Sequence, residues 1–325
     1  MTRQRGRVAL VVAAAAFGAI GALLLASSRA ATYSKSAELE SGTLTTGAAK
    51  VSGSGASDGY AVSFSGGGSG GASVTIAAAG DIAQDGAEKG TSDLIYNDAS
   101  ISTVLALGDN AYNSGTIDEY NRKYDPTWGR FKSKTKPTPG NHEYYDNNRG
   151  YNSYWNNPPE YYSFEAGPWH VISLNSQIDH GSGSQQVQWL KNDLAANPKQ
   201  CVMAFWHQPR FTAGTHDDDS STQPFWDVLY SANADVVLGG HSHTYERFAM
   251  SKPDGTVDTS RGIREFVVGT GGGTLGGGGH TVGKREFADT THYGVIKMDL
   301  SSNGYTWKFV ATGGAVLDQG SGTCH

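Results

Sequence analysis

The chain has 325 residues and a formal net charge of −6, enough for one large domain with a sizeable core. Its acidity makes it a poor candidate for binding nucleic acid or an anionic membrane by charge. Small anionic substrates remain compatible with it if local cations draw them in.

In chain order, Arg3, Arg5 and Arg7 precede an apolar and small-residue run from Val8 to Ala26. Ser28 and Ala30 then supply the small residues of a signal-peptidase site. Residues 1–30 are therefore expected to be a secretory signal. Removing its four arginines would take the charge from −6 to −10. An uncleaved membrane anchor is the alternative for so long a run. Residues 31–73 read as a small polar segment, with alternation over residues 60–64, followed by a Gly/Ser-rich linker. Within it, Ala37 to Leu44 resembles the opening of a β-sandwich carbohydrate-binding module, although too few residues follow for such a sandwich.

Residues 74–325 are expected to form the catalytic domain. Apolar strands are predicted at 74–79 and 103–107, ending in Gly80-Asp81 and Gly108-Asp109. Helices are predicted near 91–98 and 117–124. Pro139 and Gly140 then lead into Asn141-His142-Glu143. Two strand-like runs at 161–164 and 170–174 flank a Gly167-Pro168 turn. A helix over 184–196 places Val187, Leu190 and Leu194 on one face. The strand at 201–206 ends at His207, and a helix near 223–231 precedes the run Val236-Val237-Leu238-Gly239-Gly240-His241-Ser242-His243. A strand at 264–268 enters a loop that is mostly glycine. An antiparallel pair at 293–300 and 305–311 closes the domain. Cys201 and Cys324 are expected to pair in an oxidising compartment, against the alternative of two free thiols.

The chemistry lies in an ordered set: Gly-Asp, Gly-Asp, Gly-Asn-His-Glu, His, Gly-His-x-His. Alone, a Gly-Asp is an ordinary turn. Together, carboxylate, amide oxygen and imidazole at strand ends suit a pair of borderline-hard cations. In an extended turn His241 and His243 point to opposite sides, so each could hold a different ion.

This order resembles the calcineurin-like metallophosphoesterase superfamily. That superfamily commonly carries a histidine two residues after the first aspartate, where this chain has Ala83. Gly108-Asp109-x-x-Tyr112 and Gly240-His241-x-His243-x-Tyr245-Glu246-Arg247 resemble the purple acid phosphatases, in which a tyrosinate binds ferric iron. The resemblance implies an α/β fold, a four-layer metallophosphoesterase sandwich of two mixed β-sheets flanked by helices. It implies two metal ions: Fe(III) at Asp81, Asp109, Tyr112 and His243, and Zn, Mn or Fe(II) at Asn141, His207 and His241, with Asp109 bridging. A metal-bound hydroxide would attack phosphorus. His142 would contact the phosphate, and His216 would protonate the leaving group.

Plant members carry paired histidines where this chain has His216 followed by Asp217. The run Asp217 to Asp219 is expected either to raise the pKa of His216 or to repel an anionic substrate. Arg210 and Tyr144 are further candidate substrate contacts. The other histidines, His170, His180, His280, His292 and His325, match no ligand motif. His280 and His292 are the best candidates among them for the rim of the site. The expected partner is a small phosphate ester, with no nucleic acid polymer and no membrane after signal cleavage. The expected function is a secreted acid phosphatase acting on monoesters. A phosphodiesterase or nucleotidase would use the same residues. A non-catalytic cell-surface or carbohydrate-binding protein would leave the ligand set unexplained.

Overall fold

The apolar runs assemble into two mixed sheets. The computed structural model describes residues 48–52, 60–64, 73–84 and 86–325. The expected signal run, the segment Ala37 to Leu44 and nearly all of the Gly/Ser linker lie outside them. The chain divides into two units, Met1–Ser69 and Gly70–His325. In the first, β1 (Ala48–Ser52) pairs antiparallel with β2 (Tyr60–Phe64), Ala48 opposite Phe64.

The second unit opens with β3 (Val74–Ala79), α1 (Glu88–Tyr96) and β4 (Ile101–Leu107). Next comes α2 (Ile117–Glu119), which widens into a π-helical turn over Tyr120–Tyr124. Then follow β5 (Thr135–Thr138), α3 (Asn141–Tyr144), α4 (Arg149–Trp155), β6 (Tyr162–Ala166) and β7 (Trp169–Ser173). The next stretch holds α5 (Gln185–Ala196), β8 (Val202–Phe205), α6 (Gln223–Ser231), β9 (Val236–Gly239) and β10 (Tyr245–Phe248). The last strands are β11 (Arg264–Val268), β12 (Arg285–Asp289), β13 (Gly294–Ser301), β14 (Gly304–Ala311) and β15 (Val316–Thr323).

One sheet has the order β15-β14-β13-β3-β4-β5 and the other β12-β10-β11-β9-β8-β7-β6. Strands β3, β4 and β5 run parallel, as do β7, β8, β9 and β11. Their C-terminal ends therefore gather the connecting loops, which is where open α/β sheets bind ligands.

Strand periodicity sorts the core. Met203 and Phe205 of β8 point into a core shared with Ile76 and Leu105 of the facing sheet. Val202 and Ala204 point the other way, onto Val187 and Leu190 of α5 and Phe225 and Leu229 of α6. The same split separates Val236 and Leu238 from Val237. Each such fully buried aliphatic or Phe side chain contributes roughly 1.5–3 kcal/mol relative to exposure. The helices start where their caps direct. Ser184 accepts the Val187 N–H at the head of α5, and Thr116 with Glu119 closes a capping box on α2.

One expectation needs correction, and one stretch with no predicted element gains two. The domain closes on three antiparallel strands, not two, because β15 adds to β14. The region after Asn141 is helical, in two short pieces. The cysteines pair as expected: Cys201 and Cys324 form a disulfide with Cα atoms 5.3 Å apart. It ties the start of β8 to the end of β15, and so one sheet to the other. No helix among the described residues is long and apolar enough to cross a membrane.

Cross-linking across a separation of 123 residues stabilises by about 5 kcal/mol in the chain-entropy model. The double variant Cys201→Ala/Cys324→Ala should therefore unfold at markedly lower urea concentration, with a steeper denaturant slope because the unlinked unfolded chain exposes more surface. A midpoint equal to that of the wild type would show that the bridge adds no stability.

Candidate metal centre

Six of the seven candidate ligands sit where a strand runs out, and Tyr112 lies further along the loop after β4. Asp81 follows β3, Asp109 follows β4, and Asn141 opens α3 just after β5. His207 follows β8, and His241 and His243 occupy the turn from β9 to β10. Three of these residues have left-handed backbone, with φ of 57° at Asp81, 47° at Asp109 and 68° at His241. Such conformations cost a residue with a Cβ of order 1–3 kcal/mol and concentrate at functional sites. Two glycines permit the close packing. A Cβ on Gly108, which itself has φ of 87°, would collide with the His207 ring. One on Gly140 would collide with the Asp109 carboxylate.

The side chains form two clusters that share one atom. In the first, Tyr112 Oη lies 2.9 Å from Asp81 Oδ1, 3.1 Å from Asp109 Oδ2 and 3.2 Å from His243 Nε2. In the second, His207 Nε2 lies 3.2 Å from Asp109 Oδ2 and 3.1 Å from Asn141 Oδ1. Donor atoms of Asp109, His207 and His241 all fall within 4.8 Å of one another. Asp109 Oδ2 is common to both clusters.

A surrounding shell aims these groups. The Nδ1 atoms of His207 and His243 face the carbonyls of Leu107 and Thr274, at 2.9 and 2.8 Å. That arrangement turns Nε2 inward on each ring. The second oxygens of the aspartates are held by backbone: His241 N–H donates to Asp81 Oδ2 and His142 N–H to Asp109 Oδ1. Glu143, fully buried, accepts from the N–H groups of Asn110, Ala111 and Gly140 and from the Tyr120 hydroxyl. It thereby locks the loop after β4 to the loop after β5.

The electrostatics call for cations. Burial pushes the Asp81 and Asp109 carboxyls up. The charges and hydrogen bonds of His243 on Asp81 and of His207 on Asp109 outweigh it and hold both below the usual range. Burial lowers His207 and His243, yet the facing aspartates lift each to about 9. Burial and the charges of His207 and His216 press His241 down to about 3. Burial, then the two aspartates, drives the Tyr112 hydroxyl well above 10. Without an ion, protons on His207 and His243 balance the carboxylates, and the phenol stays neutral. A cation of higher charge would replace those protons and allow the phenol to ionise. The donor set fits such ions: carboxylates, an amide oxygen, imidazoles and a phenol.

Two further histidines flank the clusters. His142 Nδ1 faces the Asn113 carbonyl at 2.6 Å, and Nε2 stands 3.7 Å from Asp109 Oδ2. The His216 ring stacks on His241, centroids 4.0 Å apart. The acidic run beside His216 is occupied with backbone contacts. Asp217 accepts from His280 N–H, Asp218 from Thr212 and Val282 N–H, and Asp219 from Ser221 N–H. These carboxylates hold loops in place and do not raise His216. Burial, followed by the charge of His243, lowers it.

Arg210 and Tyr144 are engaged elsewhere. The Arg210 guanidinium lies 4.7 Å from the centroid of the Phe211 ring, and the Tyr144 hydroxyl bonds Glu160 and Asn175. His170 is buried between Glu165 and Asp193, and His180 bonds Ile178 and Ser221. His325 faces Asp235, His292 bonds Asp289, and the His280 side chain is exposed. Sequence reading missed two buried carboxylates of the second sheet. Glu265 accepts the N–H groups of Arg210 and Phe211, while Glu246 takes the Thr212 hydroxyl and the Ala213 N–H. Together they brace the loop that carries His216. Their signal was a glutamate beside an arginine within a short strand of aromatic and apolar residues.

Two mixed sheets whose parallel strands deliver carboxylates and imidazoles to one edge define a metallophosphoesterase fold. Residues 74–245, over half of the chain, match the calcineurin-like phosphoesterase family model, and the chain belongs to that family. It is similar to purple acid phosphatase 18 of Arabidopsis thaliana, 32% identical over 200 residues, 54% of this chain and 44% of that one. Mouse acid phosphatase type 7 is 27% identical over 177 residues, 44% of this chain and 40% of that one. The chain spans less than half the length of these curated relatives. In fold it matches purple acid phosphatase PPD1 from yellow lupin seeds, with a TM-score of 0.68 at 16% identity over 78% of this chain and 54% of that one. It also matches GAP50, the anchor in the inner membrane complex of Plasmodium, with a TM-score of 0.64 at 15% identity over 78% and 89%. A fold shared with an anchor leaves the site to decide function.

The packing at Gly140 yields a direct test. In Gly140→Ala the new methyl must displace the Asp109 carboxylate. Metal bound per chain should fall with a destabilisation of roughly 1–3 kcal/mol, the range for overpacking. Unchanged metal content in a folded Gly140→Ala protein would contradict the close approach.

Proposed function

We propose that the chain is a binuclear metal-dependent phosphoesterase that hydrolyses phosphate monoesters, with residues 74–325 as its catalytic domain. The observation that carries this reading is the shared position of Asp109 Oδ2, 3.1 Å from Tyr112 Oη and 3.2 Å from His207 Nε2. One carboxylate oxygen between two donor clusters is the arrangement a bridging ligand requires. Asp81, Asp109, Tyr112 and His243 would hold ferric iron, since a phenolate is a hard anionic donor. Asp109, Asn141, His207 and His241 would hold Zn, Mn or Fe(II). When bound, the ions supply Lewis-acid stabilisation and an activated water.

The chain's own groups do the rest. His142, with its Nδ1–H committed to the Asn113 carbonyl, presents Nε2 toward the clusters and, in its doubly protonated form, would donate from Nε2 to a phosphoryl oxygen as charge builds there. His216, beside His241, would hand a proton to the leaving alkoxide. Burial and the charge of His243 favour its neutral form. It would therefore carry that proton most fully in an acidic medium, which suits an acid phosphatase. Residues 1–30 as a signal would place the protein outside the cell, and residues 31–73 would be a polar segment and linker.

Turnover of nitrophenyl phosphate, an alkyl phosphate and bis(nitrophenyl) phosphate tests this reading. The wild type should prefer the monoesters; a preference for the diester would make it a phosphodiesterase. His142→Ala should retain its metals and lose roughly 10²–10³-fold on both monoesters, the scale of one transition-state donor. His216→Ala should depress mainly the alkyl ester, because nitrophenolate leaves unaided. Equal losses in His216→Ala would assign it to substrate binding. Metal loss in His142→Ala would make that residue a ligand.

A further inference from the structure

Two aromatic rings stand strongly exposed among the described residues, Tyr96 at 56% and Tyr145 at 64%. One face of Tyr96 meets the Arg130 guanidinium, 4.5 Å from the ring centroid. The aromatic neighbour of Tyr145 belongs to the candidate site. Its ring meets His142 edge-on, centroids 4.9 Å apart and planes at 64°. His142 in turn stands 4.4 Å from Tyr112. Three rings thus lead from the donor cluster to solvent. Tyr145 closes the C-terminal end of α3, its N–H directed to the His142 carbonyl at 3.3 Å. The short helix therefore fixes its place relative to His142.

We propose that Tyr145 is a specificity-determining platform for the aromatic leaving group of an aryl phosphate monoester. The inference rests on the monoesterase reading above and adds a substrate class to it. The inner side of the site is filled by Asp81, Asp109 and Tyr112, each no more than 2% exposed. A phosphoryl group seated against these residues and His142 must direct its ester substituent outward. A flat substituent emerging past His142 meets the face or edge of Tyr145. An alkyl or sugar substituent has no π-system to place there. Aromatic pairs of this geometry change affinity about two- to twelve-fold beyond area burial.

The test is the ratio of kcat/KM for phenyl phosphate to that for an alkyl phosphate, in wild type, Tyr145→Phe and Tyr145→Ala. In Tyr145→Ala the ratio should fall about two- to twelve-fold, with the loss in KM for the aryl ester. Tyr145→Phe keeps the ring and should keep the wild-type ratio. A Tyr145→Ala ratio equal to wild type overturns the platform, even if both rates fall together, as a structural role would make them do. A wild type that hydrolyses neither ester overturns the monoesterase reading, and the platform with it. Active wild type with an unmoved ratio overturns the platform alone.

Discussion

The structure turns on a single carboxylate oxygen, Asp109 Oδ2, which both donor clusters share. The first cluster draws Asp81, Asp109 and Tyr112 from the loops after β3 and β4, in one sheet. The second draws His207 and His241 from strand ends of the other, and His243 crosses back to Asp81. The site exists only where the two sheets bring their strand ends to one edge. The apolar core between the sheets sets that register, and the disulfide ties the start of β8 to the end of β15. Core and site are therefore one problem: a sheet that shifted would separate the clusters.

Convergence concentrates negative charge in a buried place, and two devices manage it. Backbone N–H groups of His241 and His142 take the outward oxygens of Asp81 and Asp109, so that each carboxylate has a fixed orientation before any ion arrives. Imidazoles balance the remaining charge, which is why His207 and His243 are held protonated without metal. Left-handed backbone at Asp81, Asp109 and His241 is the strain that accompanies this preorganisation. Glu143, Glu246 and Glu265 extend the same logic outward, since each is fully buried and braces loops rather than reacting.

Much of this was legible in the sequence. Long apolar runs ending in Gly-Asp, His or Gly-Gly-His marked β3, β4, β8 and β9 and their cargo, because buried parallel strands carry no polar interruptions. The cysteine pair was readable from compartment chemistry. What escaped had weak or misleading local patterns. Strand β15 is mostly polar and rich in glycine, and it is specified by pairing with β14 rather than by its own residues. Strand β10 begins at Tyr245, two residues after His243, so the ligand motif hid it. Helices α3 and α4 are short, and α4 lies between Asn148 and Asn156 in left-handed conformation, signals that read as loop. Asp217 to Asp219 looked like an electrostatic feature, yet each carboxylate holds a backbone N–H, Asp217 and Asp218 across the fold and Asp219 two residues on.

Metal bound per chain, measured by elemental analysis on purified wild type and on folded Asp109→Asn, tests the shared carboxylate most directly. The account predicts two ions per wild-type chain and no more than one in Asp109→Asn, because removing the common oxygen weakens both clusters. Full activity in a wild type holding a single ion, or two ions retained by Asp109→Asn, would contradict it.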